Sequence, residues 1–174
     1  MRKGPKVSTD LSTSMNLRLL IHYIGDLHQP LHATSRMTEA HPDGDLGGNL
    51  FKLDKHGEFD ELHAVWDAMV FWHDNDFPEP LSEEHWKEMG EISSYLRTEY
   101  PKESENWYGK PEDWATESHE IAVEFVYPEV QEGSWPSDAY IANGQKIAQK
   151  RVAQAGFRLA QTLVELFADQ NAFL

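Results

Sequence analysis

The stretch Leu20-Ile21-His22-Tyr23-Ile24-Gly25-Asp26-Leu27-His28-Gln29-Pro30-Leu31-His32 carries most of what this sequence says about its fold and its chemistry. Leu17, Leu20, Ile21, Ile24 and Leu27 recur at helical spacing, which predicts a helix from about Leu11 to Leu31, capped by Asp10 or Ser12. Pro30 should disturb its last turn. His22 and Asp26 stand four residues apart and therefore share one face, where an imidazole and a carboxylate can converge on a single ion. His32 follows just beyond Pro30, where the chain should be turning.

Working outward, the same His-x-x-x-Asp spacing returns at His63 and Asp67, inside a second helix expected from Phe59 to about Trp72. One such pair is commonly a surface hydrogen bond. Two of them carry more weight, because His22 lies beside Leu20, Ile21 and Ile24, and His63-Asp67 sits among Leu62, Val65, Trp66 and Met69. Charged groups beside apolar faces are seldom kept without a partner or a metal. The chain has no cysteine, which removes disulfides, thiolate metal sites and cysteine nucleophiles together. Nitrogen and carboxylate donors without thiolate suit zinc in a catalytic site. Of the nine histidines, His28 should point to a different face from Asp26. His41, His56, His73, His85 and His119 read as ordinary surface or internally satisfied side chains.

The remaining segments are also mostly helical. Ala33 to Gly57 reads as a polar loop centred on Asp43-Gly44-Asp45-Leu46-Gly47-Gly48-Asn49, with Leu50-Phe51-Lys52-Leu53 as a short strand. Ser82 should cap a third helix running through Trp86, Met89, Ile92 and Leu96. Pro111 opens a fourth that ends at Tyr127 before Pro128, and Ser137-Asp138 starts a long final helix. The expected architecture is all-α, an irregular helical bundle forming a single domain over residues 1–174. Trp66, Trp86, Trp114 and Trp135 read as core anchors, and Gly156 as a point of close helix packing.

Composition narrows the function. Against 15 Lys+Arg stand 30 Asp+Glu, a formal net charge of −15. A hydrophobic fraction of 40% with 11% aromatics still describes a folded chain. This balance excludes a DNA-binding module that works by neutralising phosphates with Lys and Arg. Nucleic acid could be handled only with positive charge from elsewhere, and bound metal is the obvious source. No apolar run approaches a membrane span. Met1-Arg2-Lys3 is followed by Gly4-Pro5-Lys6-Val7-Ser8 rather than an apolar stretch, so no signal peptide is read.

The motif from Leu20 to His32 closely resembles the central motif of the S1/P1 nuclease family. Asp45-Leu46-Gly47-Gly48-Asn49 resembles that family's Gly-Gly-Asn loop, and Glu61-Leu62-His63-Ala64-Val65-Trp66-Asp67 its second His-x-x-x-Asp helix. Trp114-Ala115-Thr116-Glu117-Ser118 and Ala155-Gly156-Phe157-Arg158-Leu159-Ala160 match weaker landmarks. The resemblance implies a helical bundle of the phospholipase C/P1 nuclease type. It also implies a zinc-dependent endonuclease that hydrolyses single-stranded DNA and RNA to 5′-phosphate products by attack of metal-bound hydroxide, with 3′-nucleotidase activity besides.

Carried over by position, the resemblance makes His32, His63 and Asp67 the complete protein ligand set of one zinc. His22 and Asp26 become half the set of a second, with Asp26 bridging to a third and acting as the catalytic carboxylate. Gly47 and Asn49 become the loop that contacts a nucleobase, and Phe51 or Tyr23 is the candidate stacking partner. Three zinc ions are implied for an intact family member. The family's leading Trp, whose backbone amine binds zinc, and its early His, Asp and His ligands have no counterpart in these residues. The chain is therefore expected to be the C-terminal portion of such a domain, incomplete at its N-terminus and derived from an exported parent. It should bind about one zinc, be nearly inactive alone, and self-associate through apolar surface around Leu17, Leu20, Tyr23 and Ile24. A zinc phospholipase C-like hydrolase and an inactive remnant keeping one zinc site are the alternatives.

Overall fold

A computed structural model describes residues 9–69, 80–102 and 107–168. Helix α1 spans Thr9–Asp26, and a single 3₁₀ turn, Pro30–Ala33, follows. Strands β1 (Lys52–His56) and β2 (Phe59–Glu61) form an antiparallel hairpin that runs directly into α2 (Leu62–Asp67). Then come α3 (Glu83–Glu99), α4 (Pro111–Ile121) with a π-helical extension over Ala122–Val126, and α5 (Asp138–Ala168). The described chain is mostly helical, as expected, with the small hairpin added.

Local chemistry accounts for most of the boundaries. The Ser82 hydroxyl accepts from the His85 backbone N–H at 3.3 Å and caps α3. Pro111 sits at the first helical position of α4, and Asp113 Oδ2 accepts from the Lys110 backbone N–H at 2.8 Å. The π-turn closes through the Tyr127 N–H bonded to the Ala122 carbonyl at 3.2 Å, just ahead of Pro128.

Several boundaries depart from the sequence reading, the first strand among them, which runs Lys52–His56 rather than Leu50–Leu53. α1 stops at Asp26 rather than Leu31, because Pro30 opens the 3₁₀ turn instead of merely bending a helix. The expected helix from Phe59 begins only at Leu62. Gly57, at φ +60°, and Glu58 make a two-residue hairpin turn that commits Phe59–Glu61 to pairing with Lys52–His56. That helix also stops at Asp67, with Ala68 as its C-cap, short of the expected Trp72; residues 70–72, and His73 with them, lie outside the described residues.

The main core lies where the hairpin, α2, the π-turn and the first half of α5 meet. Trp66 is buried at its centre; its indole N–H donates to the Tyr140 hydroxyl at 2.8 Å, which donates to the Val126 carbonyl at 2.9 Å. Gly144 permits this approach, since a Cβ there would stand 3.0 Å from Met69 Sδ. Gly156, expected to mark close packing, has open space beside it, with nothing within 4 Å of a built Cβ. A smaller cluster joins Leu96, Trp107 and Phe157 between α3 and α5.

Among the tryptophans, Trp66 and Trp114 are buried and Trp135 is half-buried, stacked on His56. Trp86 is 65% exposed and anchors no core, because it falls on the solvent side of α3 while Leu96 takes the inner side. On α1, Leu11, Met15, Ile21 and Tyr23 are exposed. Leu17 and Leu20 are half-buried, while Ile24, expected on the uncovered side, is buried. No helix of the described residues is long and apolar enough to cross a membrane.

Candidate metal centre

The 3₁₀ turn and α2 bring His32, His63 and Asp67 together. One donor atom from each lies within 4.8 Å of the others. His32 Nε2 is 3.5 Å from Asp67 Oδ1, and His63 Nε2 is 3.5 Å from Asp67 Oδ2. The two imidazoles stack nearly parallel, 5.0 Å between centroids and 14° between planes. Bonds of about 2.0–2.2 Å in a tetrahedral arrangement put ligand atoms about 3.4 Å apart, so the three donors, each imidazole beside a different Asp67 oxygen, lie close to the spacing an ion would need. Nitrogen and oxygen donors of this kind would suit a divalent ion such as zinc, and His32 and His63 also line the adjoining cleft.

The rings are oriented from behind. His63 Nδ1 lies 2.8 Å from the Gly47 carbonyl, which can only accept, so Nδ1 carries the proton and Nε2 presents its lone pair. Gly47 sits at φ +64°, and any Cβ there would collide with the Leu31 carbonyl. The loop thus needs glycine to bring that carbonyl to His63. On His32, Nδ1 faces Asp26 Oδ1 at 3.5 Å, again leaving Nε2 for the gap. Hydrogen bonding to Asp67 and the nearby Asp26 and Asp67 charges push the His32 pKa up, against the opposing effect of burial. Burial pulls the Asp67 carboxyl upward, but its bonds to His32 and Gln29 outweigh this and hold it below the usual range.

His22 joins this group at its edge. Its Nε2 is 3.2 Å from Asp26 Oδ2, with the imidazole 65% exposed rather than set on the apolar face. Asp26 therefore links His22 to His32. Asp26, His32, His63 and Gly47 line a cleft of about 570 Å³ together with Tyr23 and Leu46. Leu46 is the one non-glycine residue at positive φ among those described, at +55°, and its side chain is 65% exposed at the rim. Its backbone is held on both sides, by Ser35 Oγ on the N–H at 3.2 Å and by Asn49 Nδ2 on the carbonyl at 2.7 Å. Asn49 spends its amide on the loop. Phe51, a candidate stacking side chain, is 1% exposed in the core under Arg36 and cannot meet a ligand.

Beneath the motif lies a second His–carboxylate group that sequence reasoning did not single out. Glu117 on α4 bridges Arg151 and Arg158 of α5: Arg151 Nη1 donates to Oε2 at 2.6 Å, and Arg158 donates to both oxygens at 2.7 and 2.8 Å. Arg158 Nη1 also donates to His28 Nε2 at 2.8 Å, while His28 Nδ1 donates to the Ile24 carbonyl at 2.7 Å. Arg151 Nε and Ser118 Oγ reach the carbonyls of His28 and Leu27. Burial, then the Arg151 charge, pushes His28 down to about 4, so it is neutral here. His28 does face away from Asp26, inward. Glu117 and Arg158 were visible in the sequence only within the two weaker landmarks.

The other described histidines play no part in the cleft. His41 stands 4.0 Å from Glu132, His56 stacks on Trp135, His85 bonds Ser82 Oγ at 2.7 Å, and His119 is exposed.

The fold and its cleft define a mostly helical protein with an open imidazole–carboxylate group set on a buried ionic base. The chain belongs to the S1/P1 nuclease family, whose S1/P1 Nuclease model matches residues 4–168. It is 29% identical over 168 residues to Endonuclease 3 of Arabidopsis thaliana, covering 89% of this chain and 52% of that protein. To Nuclease P1 of Penicillium citrinum it is 24% identical over 176 residues, covering 90% of this chain and 59% of the relative. The chain thus spans about half the length of the curated plant relatives it matches.

Proposed function

We propose that this chain carries the zinc-binding centre of a nuclease that hydrolyses phosphodiester bonds of single-stranded DNA and RNA to 5′-phosphate products, with 3′-nucleotidase activity. The observation that supports it most is the convergence of His32, His63 and Asp67 beside a cleft edged by Tyr23 and Leu46. His32, His63 and Asp67 would hold one zinc, and His22 with Asp26 would contribute to a second. When bound, zinc supplies Lewis acidity at the phosphate and lowers the pKa of a coordinated water.

The chain's own residues do the rest. Gly47 fixes the His63 tautomer through its carbonyl, and Asp26 orients His32 in the same way. Asp26, half exposed where the ligand group meets the cleft, is set to receive the proton of the attacking water. Tyr23 and Leu46 form the rim on which a splayed base can lie, which favours single strands over duplex. Gly47 takes part through its backbone, and Asn49 by locking Leu46 in place rather than by meeting the base itself. Positive charge focused at the ions reconciles a net charge of −15 with a polyanionic substrate.

The test is product analysis with zinc added. A single-stranded oligonucleotide should be cut slowly to 5′-phosphate ends, and the cutting should disappear in Asp67→Asn. Hydrolysis of phosphatidylcholine vesicles in its place would move the reading to a phospholipase.

A further inference from the structure

Gln29 bridges the two elements that carry the ligand group. Its Oε1 accepts from the Leu31 backbone N–H at 2.5 Å, closing the start of the 3₁₀ turn that presents His32. Its Nε2 donates to Asp67 Oδ1 at 2.9 Å, across to the end of α2. The two contacts fix the amide's orientation. A backbone N–H can only donate, so the oxygen must face Leu31, which leaves the NH₂ for the carboxylate.

The imidazoles stand 3.5 Å from the Asp67 oxygens, a separation that leaves room for an ion, whereas Gln29 makes a full hydrogen bond. The Asp67 side chain is 52% exposed, so packing does little to hold it. We propose that Gln29 is the positioning residue of this centre: it engages Asp67 Oδ1, leaves Oδ2 beside His63 Nε2 for the ion, and ties that carboxylate to the turn bearing His32. One side chain thereby sets the separation between donors that lie on different elements. The inference rests on the group being a metal site and adds to it a residue that does not touch the ion.

The experiment is a calorimetric Zn²⁺ titration of the full chain beside Gln29→Met, which loses both contacts, and Gln29→Glu, which keeps the acceptor for Leu31 but sets an oxygen against Asp67. Both variants should bind Zn²⁺ about 10–100-fold more weakly, the usual cost of losing a hydrogen-bond partner behind a ligand, while Gln29→Glu keeps the native thermal midpoint. Native-like binding by Gln29→Met, which lacks both contacts and adds no charge, would overturn the proposal. A metal-free readout stands beside it: the two Nε2 proton resonances of Gln29 should shift in Asp67→Ala, and unchanged resonances would also overturn it. A native chain that takes up no Zn²⁺ fails the metal reading itself; native-like variants fail the positioning role alone.

Discussion

Residues 22–32 contribute histidines to two polar groups on opposite sides of the motif, and the two are finished differently. On the inner side, His28, Glu117, Arg151 and Arg158 are joined at 2.6–2.8 Å, and both guanidiniums are almost wholly buried. On the outer side, His22, Asp26, His32, His63 and Asp67 pair at 3.2–3.5 Å beside the cleft, with side chains from 19% to 65% exposed. The inner group is satisfied by its own members. The outer group is oriented from behind by Gly47 and Gln29 yet does not close on itself, which is how a site with room for an ion differs from a structural salt bridge.

The largest expected effect tests whether the inner group is structural. Glu117→Gln keeps the shape but leaves two buried guanidiniums without counter-charge, so it should cost about 3–5 kcal/mol in urea unfolding. That is a large share of the ~5–15 kcal/mol a domain possesses. A loss under about 1 kcal/mol would remove the distinction between the two groups.

Acid should attack the inner group first. His28 is held near 4 in the folded chain against 6.5 unfolded, so between those values the unfolded chain binds the extra proton. Its contribution is complete above pH 6.5 and is lost as pH falls toward 4. The Glu117 carboxyl, held low by the two arginines against the opposing pull of burial, adds a loss of the same sign below its ordinary 4.5. His32, raised above 6.5, contributes in the opposite sense, fully below 6.5 and fading as pH rises through its folded value. Urea midpoints should therefore fall steadily from pH 6.5 to 4.5 and soften only slightly above neutrality. A flat profile across the acid range would mean that His28 is not buried as a neutral ring.

The smallest effect belongs to the outer group. Asp67→Asn removes a half-exposed charge from pairs that are separated by 3.5 Å, so folding stability should change by less than about 1 kcal/mol. A cost approaching that of Glu117→Gln would make the cleft group a structural pair after all.

The sequence made the outer group readable because the i, i+4 spacing needs only a helix to place His22 by Asp26 and His63 by Asp67. The caps at Ser82 and Pro111 were legible for the same reason, being set by neighbours in the chain. The inner group was not, since Glu117 meets Arg151 and Arg158 across 34 and 41 residues and no periodicity reports that meeting. Gly57 closes a polar loop by composition but is the first residue of a hairpin turn in the structure, so β2 is hidden inside what composition reads as a helix. Gly144 rather than Gly156 marks the close approach, because only the partner side chain, Met69, decides where space is short.

The proposal to test is that His32, His63 and Asp67 hold one zinc, while among the described residues His22 and Asp26 belong to no second group of three ligands. Elemental analysis after dialysis from excess zinc measures it directly. About one tightly held zinc per chain is expected, lost in Asp67→Asn and kept in His22→Ala. Three tightly bound zincs, or a single zinc that survives Asp67→Asn, would contradict it.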